Sequence, residues 1–484
     1  MKKFSIYLFI AVASLSTGCK KYLEQAPDQR STLNSPEKVA ELLVTAYPRA
    51  NYVMLAESMS DNPSFVALTG LDKPENRDAY FWKDVQGTEQ DTPTFYWNNV
   101  YGAIAAANQA LEAIGEAKDP QNYTHQKGEA LVARAYAHFM LVTFYAKAYD
   151  PATAASDPGI PYITEPETVV LKNYDRKTVA YVYDMIKADL EAGIPLIQDS
   201  KYAVPAYHFT KKAAYAFGAR YWLFRRDYAK VVEYANLAFP SNNFAANVRP
   251  WFAFAAPTGG STEIAMNMSS ATNQGNLLLA ETTSWLARNY KTTIYSVSQN
   301  RLNAITAPLG ISFSAYQKYS NSSTYYFVPK HYEHFVRTSI NATTGRGYVM
   351  QTLLTTEEVL LNRAEAYINQ AKYTEALADL NTLISQRVNG YVPATHNLTD
   401  AKIMNYYVAV TTDKKQAYIL ALLDIKRAEF IHEGMRWMDI LRLQLPVTHY
   451  DQNGVAFDLA ANDKRKLWHL PSEVTLSGVP LNPR

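Results

Sequence analysis

The chain has 484 residues, with 47 Lys and Arg against 45 Asp and Glu, for a net charge of +2. No basic run exceeds pairs such as Lys211-Lys212 and Arg225-Arg226, so composition gives no footing for nucleic-acid binding. The length allows two or three domains, and 36 Tyr offer apolar bodies with polar tips, which suit surfaces that grip ligands.

Lys2 and Lys3 precede an uncharged apolar run from Phe4 to Leu15, then Ser16-Thr17-Gly18-Cys19. This is the order of a secretory signal: basic head, short apolar stretch, small-residue cleavage site. A membrane-spanning helix needs about 20 apolar residues, and this run is shorter. Residues 1–18 are therefore expected to be a signal peptide. Cys19 is the only Cys, so an exported chain has no internal disulfide to make. Lipidation of Cys19 gives that thiol a use, and several acyl chains on one residue anchor a protein stably. No later segment is long and apolar enough to span a membrane.

Most of the remainder reads as amphipathic helix. Residues 96–117 place Val100, Ile104, Ala107, Leu111 and Ile114 at helical spacing, and residues 126–149 and 177–196 follow the same period. Residues 211–239 predict two helices broken near Arg226-Asp227, and 356–387 two more broken near Ala371-Lys372. Residues 414–443 predict one long helix. The two broken pairs repeat each other. Ala219, Trp222 and Tyr228 match Ala364, Tyr367 and Tyr373 in spacing, with a small residue where the second helix approaches the first. That is the mechanics of a tetratricopeptide unit. Between the helices, residues 240–329 hold only seven charged residues and thirteen aromatics. A long non-repetitive stretch of this kind suits a neutral polar ligand such as a sugar. The predicted fold is mainly α: a tetratricopeptide-like α-superhelix carrying an irregular, loop-rich ligand-binding insertion.

Catalytic signatures are weak. Glu429, His432, Glu433, Arg436, Asp439 and Arg442 look chemical, but their spacing of three and four places them as a charge ladder along one helix. His432-Glu433 lacks a second His four positions on, because residue 436 is Arg. No phosphate loop or Gly-x-Ser-x-Gly elbow appears, and nine scattered His support no metal cluster. No catalytic residue, metal or cofactor is expected, and the chain reads as a binder.

Several separate motifs resemble the SusD/RagB family of outer-membrane nutrient-binding lipoproteins. Cys19-Lys-Lys-Tyr-Leu-Glu-Gln-Ala-Pro27 is similar to the family's start, Tyr101-Gly-Ala-Ile-Ala-Ala-Ala-Asn108 to its first long helix, and Glu358-Val-Leu-Leu-Asn-Arg-Ala-Glu365 to a later one. Arg427-Ala-Glu-Phe-Ile-His-Glu-Gly-Met-Arg-Trp-Met-Asp439 resembles its most specific motif, with Lys426 where an Arg is usual. Leu467-Trp-His-Leu-Pro-Ser-Glu473 and Asn482-Pro483 resemble its C-terminal end, with His469 in place of Pro. The resemblance implies a protein tethered to the outer leaflet of the outer membrane. It would close as a lid over a TonB-dependent SusC-like transporter and hold a glycan or oligosaccharide for import. The implied segments are 1–18 signal peptide, 19–239 N-terminal helical region, 240–350 aromatic-rich insertion and 351–484 C-terminal region. By location, Trp82, Trp285, Tyr290, Tyr325 and Tyr326 are expected as stacking platforms, and Arg77, Asp61 and Asn62 as hydrogen-bonding partners. A bond to a charged group contributes roughly 1.5–3 kcal/mol. The competing readings are a surface glycosidase and a helical-repeat scaffold that binds no ligand.

Overall fold

Capping residues set where the long helices begin. Ser35 opens α1 (Pro36–Leu43), accepting the Lys38 N–H, with Pro36 in the first turn. Thr92 does the same for the Phe95 N–H at the start of α4 (Pro93–Glu116), whose first residue is again Pro. Between them lie α2 (Val53–Met59), strand β1 (Ser64–Phe65) and α3 (Pro74–Tyr80). Helix α5 (Thr124–Tyr145) is buried nearly all round and forms the axis of the N-terminal half, packing on α4 and on α6 (Val179–Gly193). This computed structural model describes residues 33–483, apart from 168, 170, 171 and 256–258. Cys19 and residues 1–18 lie outside the described residues.

Both expected hairpins form. Helix α7 (Lys211–Phe224) turns into α8 (Tyr228–Ala238), which is capped by Asp227. After the sheet described next come α9 (Thr356–Asn369), capped by Thr355, and α10 (Tyr373–Ser385). Helix α8 packs directly on α9, so the two hairpins stack as solenoid units do. Ala219 and Ala364 are fully buried as expected. The tightest approach, however, is at Gly218, where a Cβ would lie 2.1 Å from the Tyr234 ring.

Residues 240–350 are less irregular than expected. They hold most of a three-stranded antiparallel sheet: β2 (Asn276–Thr283), β4 (Glu333–Arg337) and β5 (Gly345–Thr355), with β5 in the middle. Glu281 pairs with Met350, and Phe335 with Gly347. A short strand, β3 (Tyr295–Ser296), pairs with β1 instead. Strand β5 runs straight into α9, which fixes the insertion to the second hairpin.

The expected single helix over 414–443 is two. Helix α11 (Lys414–Glu429) ends at a turn, and α12 (Met435–Leu443) begins after it. His432 and Gly434 within the turn have φ of 66° and 75°, a left-handed backbone no helix continues. The charges there are not an intrahelical ladder, apart from Asp439 and Arg442. Three buried carboxylates, Glu357, Glu429 and Glu433, interleave with three buried cations, Arg249, Arg387 and Lys330. Arg249 alone reaches all three acids, at 3.2, 3.0 and 3.0 Å. The balanced network is buried and therefore structural. A last hairpin, β6 (Val447–Tyr450) and β7 (Ala456–Leu459), closes the fold beside α3.

Candidate ligand-binding face

Segment 64–71 runs beside segment 292–296. The Val66 N–H donates to Ile294 O at 2.9 Å, and the Ile294 N–H to Leu71 O at 3.1 Å. This ladder and α3 carry an aromatic cluster that is separate from the main core: Tyr80 and Tyr295, with Phe65 and Phe81 packed against them. The Phe81 ring meets Tyr295 at 5.8 Å and Phe457, from β7, at 4.8 Å, both edge-on. Phe65 and Phe81 are half-buried and Phe457 is 36% exposed, so the cluster presents apolar ring surface to solvent. Behind it, Tyr295, Tyr80, His449 and Trp82 form a continuous stack with ring separations of 4.6, 4.0 and 4.4 Å, running inward. Burial, and then the Asp72 carboxylate, push the Tyr295 hydroxyl up to about 12, so it stays neutral.

Arg77 on α3 borders the cluster, 3.1 Å from Asp72 and 3.8 Å from Asp78, and is partly exposed. Exposed pairs of this kind contribute little to stability and exchange partners readily. A second platform lies beyond the start of α3. The half-buried Trp285 ring has the Arg288 guanidinium 4.4 Å from its centroid and the Lys73 ammonium at 5.8 Å. Arg288 also sits 5.3 Å from the exposed Phe335 ring and pairs with Glu333 at 2.7 Å. Lys73 precedes α3 and Phe81 follows it. The seven residues of α3, about 10 Å long, link the Lys73 end to the Phe81 end, and Arg77 lies within the helix.

Of the expected residues, Trp285 and Arg77 are on this face. Tyr326 is half-buried against the core. The others are buried or engaged by protein partners. Trp82 is 2% exposed and donates its indole N–H to Met59 O, so it forms the inner wall. Tyr290 is buried against Phe327, His331 and His432. Tyr325 is buried beneath Gly70, where a Cβ would meet its hydroxyl at 2.4 Å. Asn62 is fully buried, donating to Glu57 and accepting from Arg427. Asp61 is held in a two-pronged pair by Arg436 at 2.8 Å, and its carbonyl accepts from Arg301 and Arg427. Asp61 and Asn62 thus spend these groups on anchoring the loop. Sequence reasoning missed Phe65, Phe81, Tyr295 and Phe457. The adjacent Phe81-Trp82 pair held a signal, but which ring faces out depends on the left-handed turn at Trp82, φ 51°.

Among the described residues, no helix is long and apolar enough to cross a membrane, and no cluster of metal-ligating side chains forms. Residues 21–223 match a family profile described as starch-binding, associating with the outer membrane. Residues 267–474 match the profile of the SusD family. A comparison with curated proteins yields no match. Among solved structures, a SusD superfamily protein from Bacteroides vulgatus is 17% identical, with a TM-score of 0.69 over 93% of this chain and 99% of that one. A second, from Bacteroides thetaiotaomicron, is 18% identical, with a TM-score of 0.66 over 93% and 100%. Surface glycan-binding protein A from Bacteroides uniformis is 16% identical, with a TM-score of 0.62 over 93% and 99%. At these identities the likeness shows a common fold. The two sequence profiles together run from residue 21 to residue 474, and the chain belongs to the SusD/RagB family.

Proposed function

We propose that the protein binds a glycan or oligosaccharide on the face between Phe81 and Trp285 and passes it to a TonB-dependent SusC-like transporter in the outer membrane. A lipid on Cys19 holds it at that membrane. The observation that carries this reading is the aromatic cluster separate from the core, with rings open to solvent and Arg77 at its edge. Sugar rings stack on such surfaces through their apolar C–H faces, while a neighbouring guanidinium donates to their hydroxyls. The profile of starch-binding proteins over residues 21–223 and the glycan-binding relative from Bacteroides uniformis support the same ligand class. Binding is read as occurring without hydrolysis, since the acids at the two platforms pair with arginines: Asp72 and Asp78 with Arg77, and Glu333 with Arg288.

Titration of neutral polysaccharides against wild type, Phe81→Ala and Trp285→Ala tests the reading. Binding that weakens in both variants supports it. A protein that binds no glycan, or one indifferent to both changes, refutes it. Degradation of a bound polysaccharide on long incubation would establish the glycosidase instead. Co-purification with the barrel after co-expression tests delivery.

A further inference from the structure

Behind the β1–β3 ladder lies a small cavity of about 30 Å³, whose walls set Glu57, Asn76, Tyr290 and His432 among apolar Met54 and Leu286. On these walls Asn76 Oδ1 and His432 Nε2 are buried without a hydrogen-bond partner among the described residues, and the buried Tyr290 hydroxyl, approached by the Lys330 and His331 backbone N–H groups, has no acceptor for its own proton. Each of the three side chains is more than nine-tenths buried. The Asn76 amide nitrogen donates to Ser58 Oγ at 3.1 Å. Turning that amide over would only move the unmet bond from oxygen to nitrogen. Buried polar groups with an unmet hydrogen bond are rare in native proteins, and three around one cavity point to a shared ligand.

The three groups define what that ligand is. Asn76 Oδ1 only accepts. The Tyr290 hydroxyl has its proton to donate. A neutral imidazole nitrogen does one or the other according to its tautomer. Burial holds His432 well below its ordinary range, so its ring is neutral. Water, with two donors and two acceptors, satisfies all three, and buried waters commonly make about three such bonds. One water needs about 10–15 Å³ of this space, so the cavity takes one or two and excludes a sugar.

We infer that an ordered water fills this cavity, bonded to Asn76, Tyr290 and His432, and that it fixes the rear of the β1–β3 ladder. The three partners come from α3, from the segment before β3 and from the turn before α12. Ser296 Oγ donates to Tyr290 O at 3.1 Å, which links the tyrosine's backbone to β3 itself. The water therefore ties α3, which carries Tyr80, to the segment that leads into Tyr295, whose backbone bonds the Phe65 segment. That this also steadies a ligand face rests on the proposed function; the water itself does not.

A high-resolution crystal structure of the chain tests the site. The expected result is a single density peak within hydrogen-bonding distance of all three atoms, and an empty cavity overturns the inference. Amide exchange tests the bracing. In Tyr290→Phe, exchange at Val66 and Ile294 is expected to speed at least tenfold, with amides of α9 unchanged. Asn76→Ala provides the same readout if Tyr290→Phe folds poorly. Unchanged exchange at the ladder in both variants overturns the bracing role. Neither measurement uses a glycan. A water present in a protein that binds no polysaccharide would sink the proposed function and leave the cavity site standing.

Discussion

Lowering the pH from 7.5 to 4.5 destabilises this protein, and its buried histidines set the size of the effect. His138 is locked neutral, because Nδ1–H donates to Arg134 O at 2.9 Å while Nε2 accepts from the Ile163 N–H at 3.0 Å. Burial holds His138 down to about 3, His331 to about 4 and His432 well below its usual range. In the unfolded chain each takes up a proton near 6.5. Their stabilisation is therefore present above that pH and lost as pH falls. Two carboxyls act in the other direction: burial pushes Glu57 up to about 7 and Asp91 up to about 6. Their contribution is present at low pH and lost as pH rises through those values. Near pH 5 the unfolded chain has gained about three protons on the histidines and the folded chain about two on the carboxyls. The difference of about one proton is worth about 1.4 kcal/mol per pH unit, so about 2–3 kcal/mol is lost between pH 6.5 and 4.5. Near pH 7 the opposing effects cancel and stability is flat. His125, lowered by burial, adds in the histidine direction. His449 stands apart, since its two ring nitrogens face Tyr80 O and Ser60 O at 2.6 and 2.7 Å. A doubly protonated ring satisfies both carbonyls, which opposes the burial that lowers it. Urea unfolding at four pH values measures the slope. A midpoint that stays constant or rises on acidification refutes the reasoning. Glu57→Gln removes one opposing proton and should steepen the loss to nearly two protons.

Phe81→Ala and Phe457→Ala should each weaken glycan binding about two- to tenfold, the size of one aromatic contact, with little change in melting temperature; isothermal titration and thermal melts separate the two. Trp82→Ala should do the reverse, costing about 3–5 kcal/mol in chemical denaturation, because it empties an inner wall. Asp61→Ala leaves Arg436 and Arg427 without their carboxylate and should cost about 2–4 kcal/mol, less than a fully buried pair because the site is partly open. Gly218→Ala forces a Cβ into the Tyr234 ring and should cost about 1–3 kcal/mol by overpacking; a neutral result would show that α7 and α8 part easily.

The helical hairpins were legible because Ala and apolar residues recur at the helical period and both partners lie close in sequence. The break between α11 and α12 was not. Charges spaced three and four apart fit an intrahelical ladder, yet the same spacing serves partners from distant segments: Glu429 reaches Arg249 and Arg387, and Arg442 reaches Glu365. The sheet was hidden because β2 is buried along almost its whole length and reads as an apolar run, not an alternation. For the ligand face, aromatic content was visible and exposure was not. The larger ring of Phe81-Trp82 drew the expectation, and the larger ring is the one the fold buries.

The turn before α12 shows how buried charges can hold the proposed ligand face in place. Arg427 and Arg436 seize Asp61, and Arg427 also takes the Asn62 side chain, 365 positions away in sequence. The Gly434 N–H donates to Glu57 at 2.8 Å, where a residue with a Cβ would crowd Tyr52 and Ala56. Glu433 pairs with Lys330, three residues before β4 and the Arg288–Phe335 platform. One short stretch thus grips both segments that build the face, the loop before α3 and the strand beside Trp285. Its charges are spent on protein partners, so they act by holding the two platforms in register. Weakening that grip should loosen both aromatic surfaces together, whereas changing a platform ring should affect only its own.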